Sequence, residues 1–129
     1  MTARDLCHRY LHALNTGDLE GVYALFTPDA SIVSPLYGTR PARAFYAELF
    51  ADTNRSETTL INIFDSSASG EAVALHFRYR WTLSTGKVVA FECVDVFDLA
   101  PDGQAFTSMT IIYDTAPLRA DFEAARRGG

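Results

Sequence analysis

Apolar residues recur at three- and four-residue spacing in Leu6, Cys7, Tyr10, Leu11 and Leu14, which predicts an amphipathic helix. Thr2 and Asp5 form a capping-box variant at its start, and Asn15-Thr16-Gly17 supplies its stop. Asp18 can cap a second, shorter helix through Leu25-Phe26, with Leu19, Val22, Tyr23 and Phe26 inward, before Thr27-Pro28-Asp29 ends it. Ala30 to Ser34 reads as a short strand, and Pro35 and Gly38 break the chain. Pro41 is placed to open a third helix carrying Ala44, Phe45, Leu49 and Phe50 on one side.

After Asp52-Thr53-Asn54 the period changes to two. Four strands follow, Thr58 to Asp65, Glu71 to Leu83, Val88 to Leu99 and Ala105 to Tyr113. Their connections, Ser66 to Gly70, Ser84 to Lys87 and Pro101 to Gln104, are short and rich in turn formers, as antiparallel hairpins require. Ala116 to Arg127 is either a final helix with Leu118 and Phe122 docked or a tail that frays. Helices followed by an antiparallel meander predict an α+β domain. Strands this long twist and bend, and a sheet curved around helices makes a cone whose open mouth is a natural ligand site.

The 129 residues, 48% of them apolar, suit a single domain spanning 1–129 with a sizeable core. A net charge of −5 argues against nucleic acid or an anionic membrane as partner, and Arg126-Arg127 is too short a basic run to change that. Cys7 and Cys93 lie far apart in no metal or redox spacing, so free thiols and a cytoplasmic location are expected. No stretch approaches the roughly 20 apolar residues that span a bilayer. No histidine or acidic spacing suggests a metal, and no glycine-rich loop a phosphate cofactor, so neither is predicted.

The chemistry is concentrated at Asp95. Alternation along Val88 to Phe97 sends it to the same side as Phe91, Cys93 and Phe97. A carboxyl group there either finds a charged partner or a bulge, or else raises its pKa and becomes a neutral hydrogen-bond donor.

Arg9 to Val22, with Gly17-Asp18, then Ala24 to Ala30 with Pro28-Asp29-Ala30, then Ser34-Pro35 with Gly38, and Ala44-Phe45-Tyr46 carry a resemblance over nearly the whole chain. The sequence resembles the NTF2-like superfamily, and within it the ketosteroid isomerase and SnoaL-like polyketide cyclase group. The resemblance implies an α+β cone in which N-terminal helices pack inside a curved antiparallel or mixed sheet. It also implies that Tyr10, Tyr46 and Asp95 occupy the polar positions of the pocket, with a tyrosine and a neutral aspartic acid donating to an oxygen that gains negative charge. Phe26, Phe91, Phe97, Met109, Ile111 and Tyr113 match pocket-lining positions, and the aromatic face Phe77, Tyr79 and Trp81 is expected to join them.

The family's proton-shuttling aspartate precedes a proline, and here Ser34 precedes Pro35. A hydroxyl without an activating neighbour does not remove a carbon-bound proton at neutral pH. Among substitutes, His76 shares the polar face of its strand with Arg78 and Arg80, His8 and His12 fall on the outer side of the first helix, and Asp114 suits a rim acid or a turn cap. The leading expectation is therefore a pocket for a small apolar, cyclic carbonyl or phenol ligand. Any isomerase- or cyclase-type chemistry would use Ser34 to position a water, or a base carried by the substrate. A non-catalytic ligand-binding or dimerising protein is the alternative, with a homodimer formed across the outer sheet face. An epoxide-hydrolase-like enzyme is a third reading, and it needs Arg78 or Arg80 beside Asp95 inside the cone.

Overall fold

A computed structural model describes residues 1–66 and 71–128. Helix α1 spans Ala3–Thr16, where the Thr2 hydroxyl accepts from the Asp5 amide at 3.1 Å and the Asp5 carboxylate accepts from the Thr2 amide at 2.8 Å. It ends at Gly17, whose φ of 66° is a left-handed conformation that side chains resist. Helix α2, Leu19–Tyr23, is capped by Asp18 and stops short of the expected Phe26. Phe26 instead opens strand β1, Phe26–Ser34. A four-residue strand β2, Gly38–Pro41, was not foreseen, and α3 follows at Ala42–Ala51. Strand β3 runs Thr53–Asp65, beginning before the expected Thr58, and leads to β4 at Ala72–Leu83, β5 at Val88–Leu99 and β6 at Phe106–Ile112. Residues 67–70, most of the expected Ser66 to Gly70 turn, lie outside the described residues. Helix α4, Arg119–Gly128, resolves the choice between helix and tail at the C-terminus.

The six strands form one curved mixed sheet in the order β2-β1-β6-β5-β4-β3, antiparallel except where β1 runs alongside β6. The period-two residues Leu75, Phe77, Tyr79 and Trp81 of β4 are all buried, facing the helices, while Arg78 and Arg80 between them are exposed. Leu6, Tyr10 and Leu14 of α1 and Phe45 and Tyr46 of α3 meet that concave face. The result is the expected α+β cone. Among the described residues no helix is long and apolar enough to cross a membrane.

Candidate functional site

Between α1, α3 and the concave face lies a cavity of about 40 Å³, against the roughly 10–15 Å³ that one buried water needs. The sheet contributes Phe77, Tyr79 and Trp81 from β4, Phe91, Cys93 and Asp95 from β5, Ile111 from β6 and Tyr113 just beyond it. The helices contribute Tyr10, Leu14, Phe45 and Leu49, and the β1–β2 connection adds Ser34 and Tyr37.

Asp95 is 2% exposed. Its cross-strand neighbours are Leu75 and Ile111, whose side chains offer it no hydrogen bond. The ladder from β4 to β5 is unbroken through this point, so no bulge accounts for the acid. Among the described residues no Arg, Lys or His lines the cavity, so no ion pair accounts for it either. Among the described residues its one side-chain hydrogen bond is from the Cys93 thiol, with Sγ 3.9 Å from Oδ1. Burial raises the Asp95 pKa to about 8, and the thiol contact opposes that rise only weakly. At pH 7 most of the population therefore carries a proton and can donate it.

Tyr10 lines the cavity, and Tyr46 does not. This corrects the expectation that both tyrosines face a ligand. The Tyr46 hydroxyl, fully buried behind Tyr10, donates to the Tyr10 oxygen at 2.9 Å and lies 3.7 Å from Met109 Sδ. Tyr10 is thus engaged as acceptor, while no acceptor among the described residues takes its own proton. Burial lifts both phenols well above their ordinary pKa, so both stay protonated. The other phenols of the cavity differ in this respect. Tyr37 donates to Asp52 at 2.6 Å, and Tyr79 shares a 2.7 Å bond with Ser56.

Ser34 reaches the cavity wall, but its Oγ accepts from the amides of Leu36 at 3.3 Å and Tyr37 at 3.2 Å. Both lone pairs are used in fastening the turn, so the hydroxyl can donate but cannot take a proton. Asp114 is exposed outside the cavity and accepts from the Ala116 amide at 3.0 Å, the turn-cap role. His76 is on the outer face, its Nε2 3.7 Å from Glu92. Arg78 and Arg80, with side chains 63% and 59% exposed, pair there with Glu92 and Glu57. The acid–arginine–acid constellation of an epoxide hydrolase is therefore not assembled in the cone. Among the described residues no three His, Cys, Asp or Glu side chains are grouped to hold a metal.

A sequence profile of the SnoaL-like domain matches residues 7–107. The chain belongs to the SnoaL-like family. Solved structures place the family fold in a wider setting. An NTF2-like protein of unknown function from Cytophaga hutchinsonii is 21% identical, with 92% of this chain covering 96% of that one at a TM-score of 0.73. TerC, crystallised with polyporic acid, is 17% identical with 94% and 98% covered and a TM-score of 0.78. A candidate polyketide cyclase from Pseudomonas putida is 20% identical with 88% and 92% covered and a TM-score of 0.73. At these identities the likeness is one of fold, and the fold is NTF2-like.

Three further positions of this SnoaL-like chain differ from expectation. Phe26, Phe97 and Met109 do not line the cavity and are packed in the core instead. Phe97 stacks on Phe106 at 3.9 Å and meets Tyr10 edge-on at 5.3 Å, while Phe26 packs on Tyr46 at 5.5 Å. Phe77, Tyr79, Trp81, Phe91, Ile111 and Tyr113 do line it. Leu14, Tyr37, Phe45, Leu49 and Cys93 line it as well and were not anticipated. Only Cys93 carried a usable signal, through its two-residue spacing from Asp95. The helical three are indistinguishable from core by period, and Tyr37 sits in a turn without one.

Proposed function

We propose that this protein binds a small, apolar, cyclic molecule through a carbonyl or phenol oxygen that accepts hydrogen bonds from Asp95 and Tyr10. The observation that carries the reading is a buried carboxyl group with no cation near it, in a cavity also lined by a tyrosine whose oxygen is occupied and whose proton is free. Two such donors are complementary to an oxygen that gains negative charge, as in an enolate, so isomerisation or cyclisation is the reaction class the cavity suits. The neighbour TerC, crystallised with polyporic acid, is a second support for an oxygen-bearing organic ligand. A base would have to come from the substrate itself or from a water to which Ser34 donates.

Titration with 2-naphthol tests the reading. Wild-type protein should bind it, and Tyr10→Phe and Asp95→Ala should each weaken binding by about 10- to 100-fold, the value of a strong buried hydrogen bond. Equal affinity in all three proteins would contradict the assignment. Binding without catalysis is the second reading, favoured by the fact that Asp95 is the one carboxyl or imidazole group among the cavity's described residues.

A homodimer across the outer sheet face is proposed on separate grounds. The register aligns Phe64, Ala74, Val96, Thr110 and Val33 in one cross-strand row, with Ile112 beside it, and Phe64 and Ile112 are about half exposed. An apolar strip of this kind on the solvent side of a sheet fits pairing with a second copy. Replacing both Phe64 and Ile112 by Glu should convert a dimer to a monomer in analytical ultracentrifugation, and an unchanged mass would contradict the pairing.

A further inference from the structure

The cavity is cramped in this conformation. Its volume of about 40 Å³ holds a few waters at most, far less than the ring-bearing ligand proposed above requires. One element braces its walls from behind. Helix α4 lines no part of the cavity itself, but it packs on two of its wall residues and ties together the β1–β2 connection, the end of β4 and the C-terminal half of α3.

Each contact is specific. Phe122, 4% exposed, packs on Tyr37 at 5.2 Å and on Trp81 at 5.8 Å, both of which are walls of the cavity. Arg119 donates to the Pro35 carbonyl at 3.3 Å. Arg126 donates to Glu48 at 2.7 Å, lies 3.8 Å from Asp52, and holds its guanidinium over the rings of Tyr37 and Phe122. Asp52 in turn accepts the Tyr37 hydroxyl bond, so one wall of the cavity and the helix share an anchor.

We infer that α4 is a lid on this cavity, seated by Phe122 and latched by Arg126, and that it lifts to let a ligand pass. The inference rests on the cavity being the ligand site. Ten residues are too few to hold a helix in water unaided, so once its docking contacts are lost the segment loses its shape as well. The latch is partly solvated, with the Arg126 side chain 39% exposed, which lets it break without exposing the core.

Trp81 makes the inference measurable, because it is the single tryptophan, lies under Phe122 and is 2% exposed. Two readouts separate the lid from the ligand assignment. In the first, without ligand, acrylamide quenching of Trp81 is compared in wild type, Arg126→Gln and Phe122→Ala, with circular dichroism confirming that the sheet is folded. Quenching should be weak in wild type and rise severalfold in both variants. In the second, stopped-flow fluorescence follows mixing with 2-naphthol. Association and dissociation should both accelerate about tenfold in Arg126→Gln, with the equilibrium constant moving less than either rate, as expected when one charge-assisted contact guards the passage. If quenching does not change, α4 does not cover the cavity and the lid is refuted. If quenching rises and both rates stay at the wild-type value, the ligand enters elsewhere, and the lid is equally refuted. If 2-naphthol fails to bind at all, the ligand assignment falls, while increased quenching still supports α4 as the cover and unchanged quenching still overturns it.

Discussion

Tyr46 is sealed behind Tyr10, and the 2.9 Å bond between their hydroxyls fixes which of the two phenol protons is free to enter the cavity. The pair has an order: Tyr46 gives, Tyr10 receives, and of the two only Tyr10 lines the cavity. Tyr46→Phe should therefore lower stability by about 1–2 kcal/mol, the cost of stranding a buried hydroxyl acceptor. It should weaken 2-naphthol binding less than Tyr10→Phe does. Urea denaturation and a binding isotherm on the two variants check both statements, and a larger binding loss in Tyr46→Phe would place that residue in the cavity after all.

Asp95 makes stability depend on pH in a defined direction. Its folded pKa, about 8, lies above its usual value of 3.8, so between roughly pH 4 and 8 the folded protein holds a proton that the unfolded chain has released. The stabilisation is complete below pH 4, declines as pH rises towards 8, and is gone above that. Asp95→Asn keeps the shape and removes the titration. The stability difference between Asn variant and wild type should thus shift in the variant's favour from pH 5 to pH 9, by roughly 4 kcal/mol for the three units between pH 5 and the folded pKa. Parallel stabilities at the two pH values, measured by urea unfolding, would show that Asp95 titrates normally.

Ser34→Asp should introduce the missing base. The amides of Leu36 and Tyr37 that now bond to the serine oxygen would bond to a carboxylate and favour its charged form. Isomerisation of a simple β,γ-unsaturated cyclic ketone should appear in this variant and vanish when Asp95→Ala is added. Activity that survives the second change would remove Asp95 from the reaction.

Core and cavity rings should separate cleanly by mutation. Phe97→Ala removes a ring with no exposed surface, stacked on Phe106, and should cost about 3–5 kcal/mol. Phe91→Ala removes a half-buried wall ring 4.5 Å from Tyr113, and should cost less stability while lowering ligand affinity. Thermal denaturation beside 2-naphthol titration distinguishes the two.

These contrasts mark how far the residues alone could be read. Asp95 was legible because a carboxyl group among Phe91, Cys93 and Phe97 breaks the polarity of its face, and the aromatic face of β4 was legible from strict alternation. The start of β1 was not, because Thr27-Pro28-Asp29 reads as a stop. In the fold those residues occupy a register shift between Phe26 and Ser31 against β6, where proline's missing N–H is tolerated. Strand β2 and the first turns of β3 carry too few apolar residues to show a period. Tyr10 and Tyr46 both lie on apolar helix faces. Which of them reaches the cavity depends on how α1 and α3 sit over the sheet, a tertiary relation absent from either helix's own pattern.

The donor role proposed for Asp95 requires a neutral acid at physiological pH, and the carboxyl carbon reports that state directly. Carbon-13 NMR of aspartate-labelled protein, with Asp95→Asn used to assign the resonance, should show the Asp95 signal titrating with a midpoint near pH 8. A midpoint near 4 would mean that Asp95 is an ordinary carboxylate at pH 7, and the donor role assigned to it would fall.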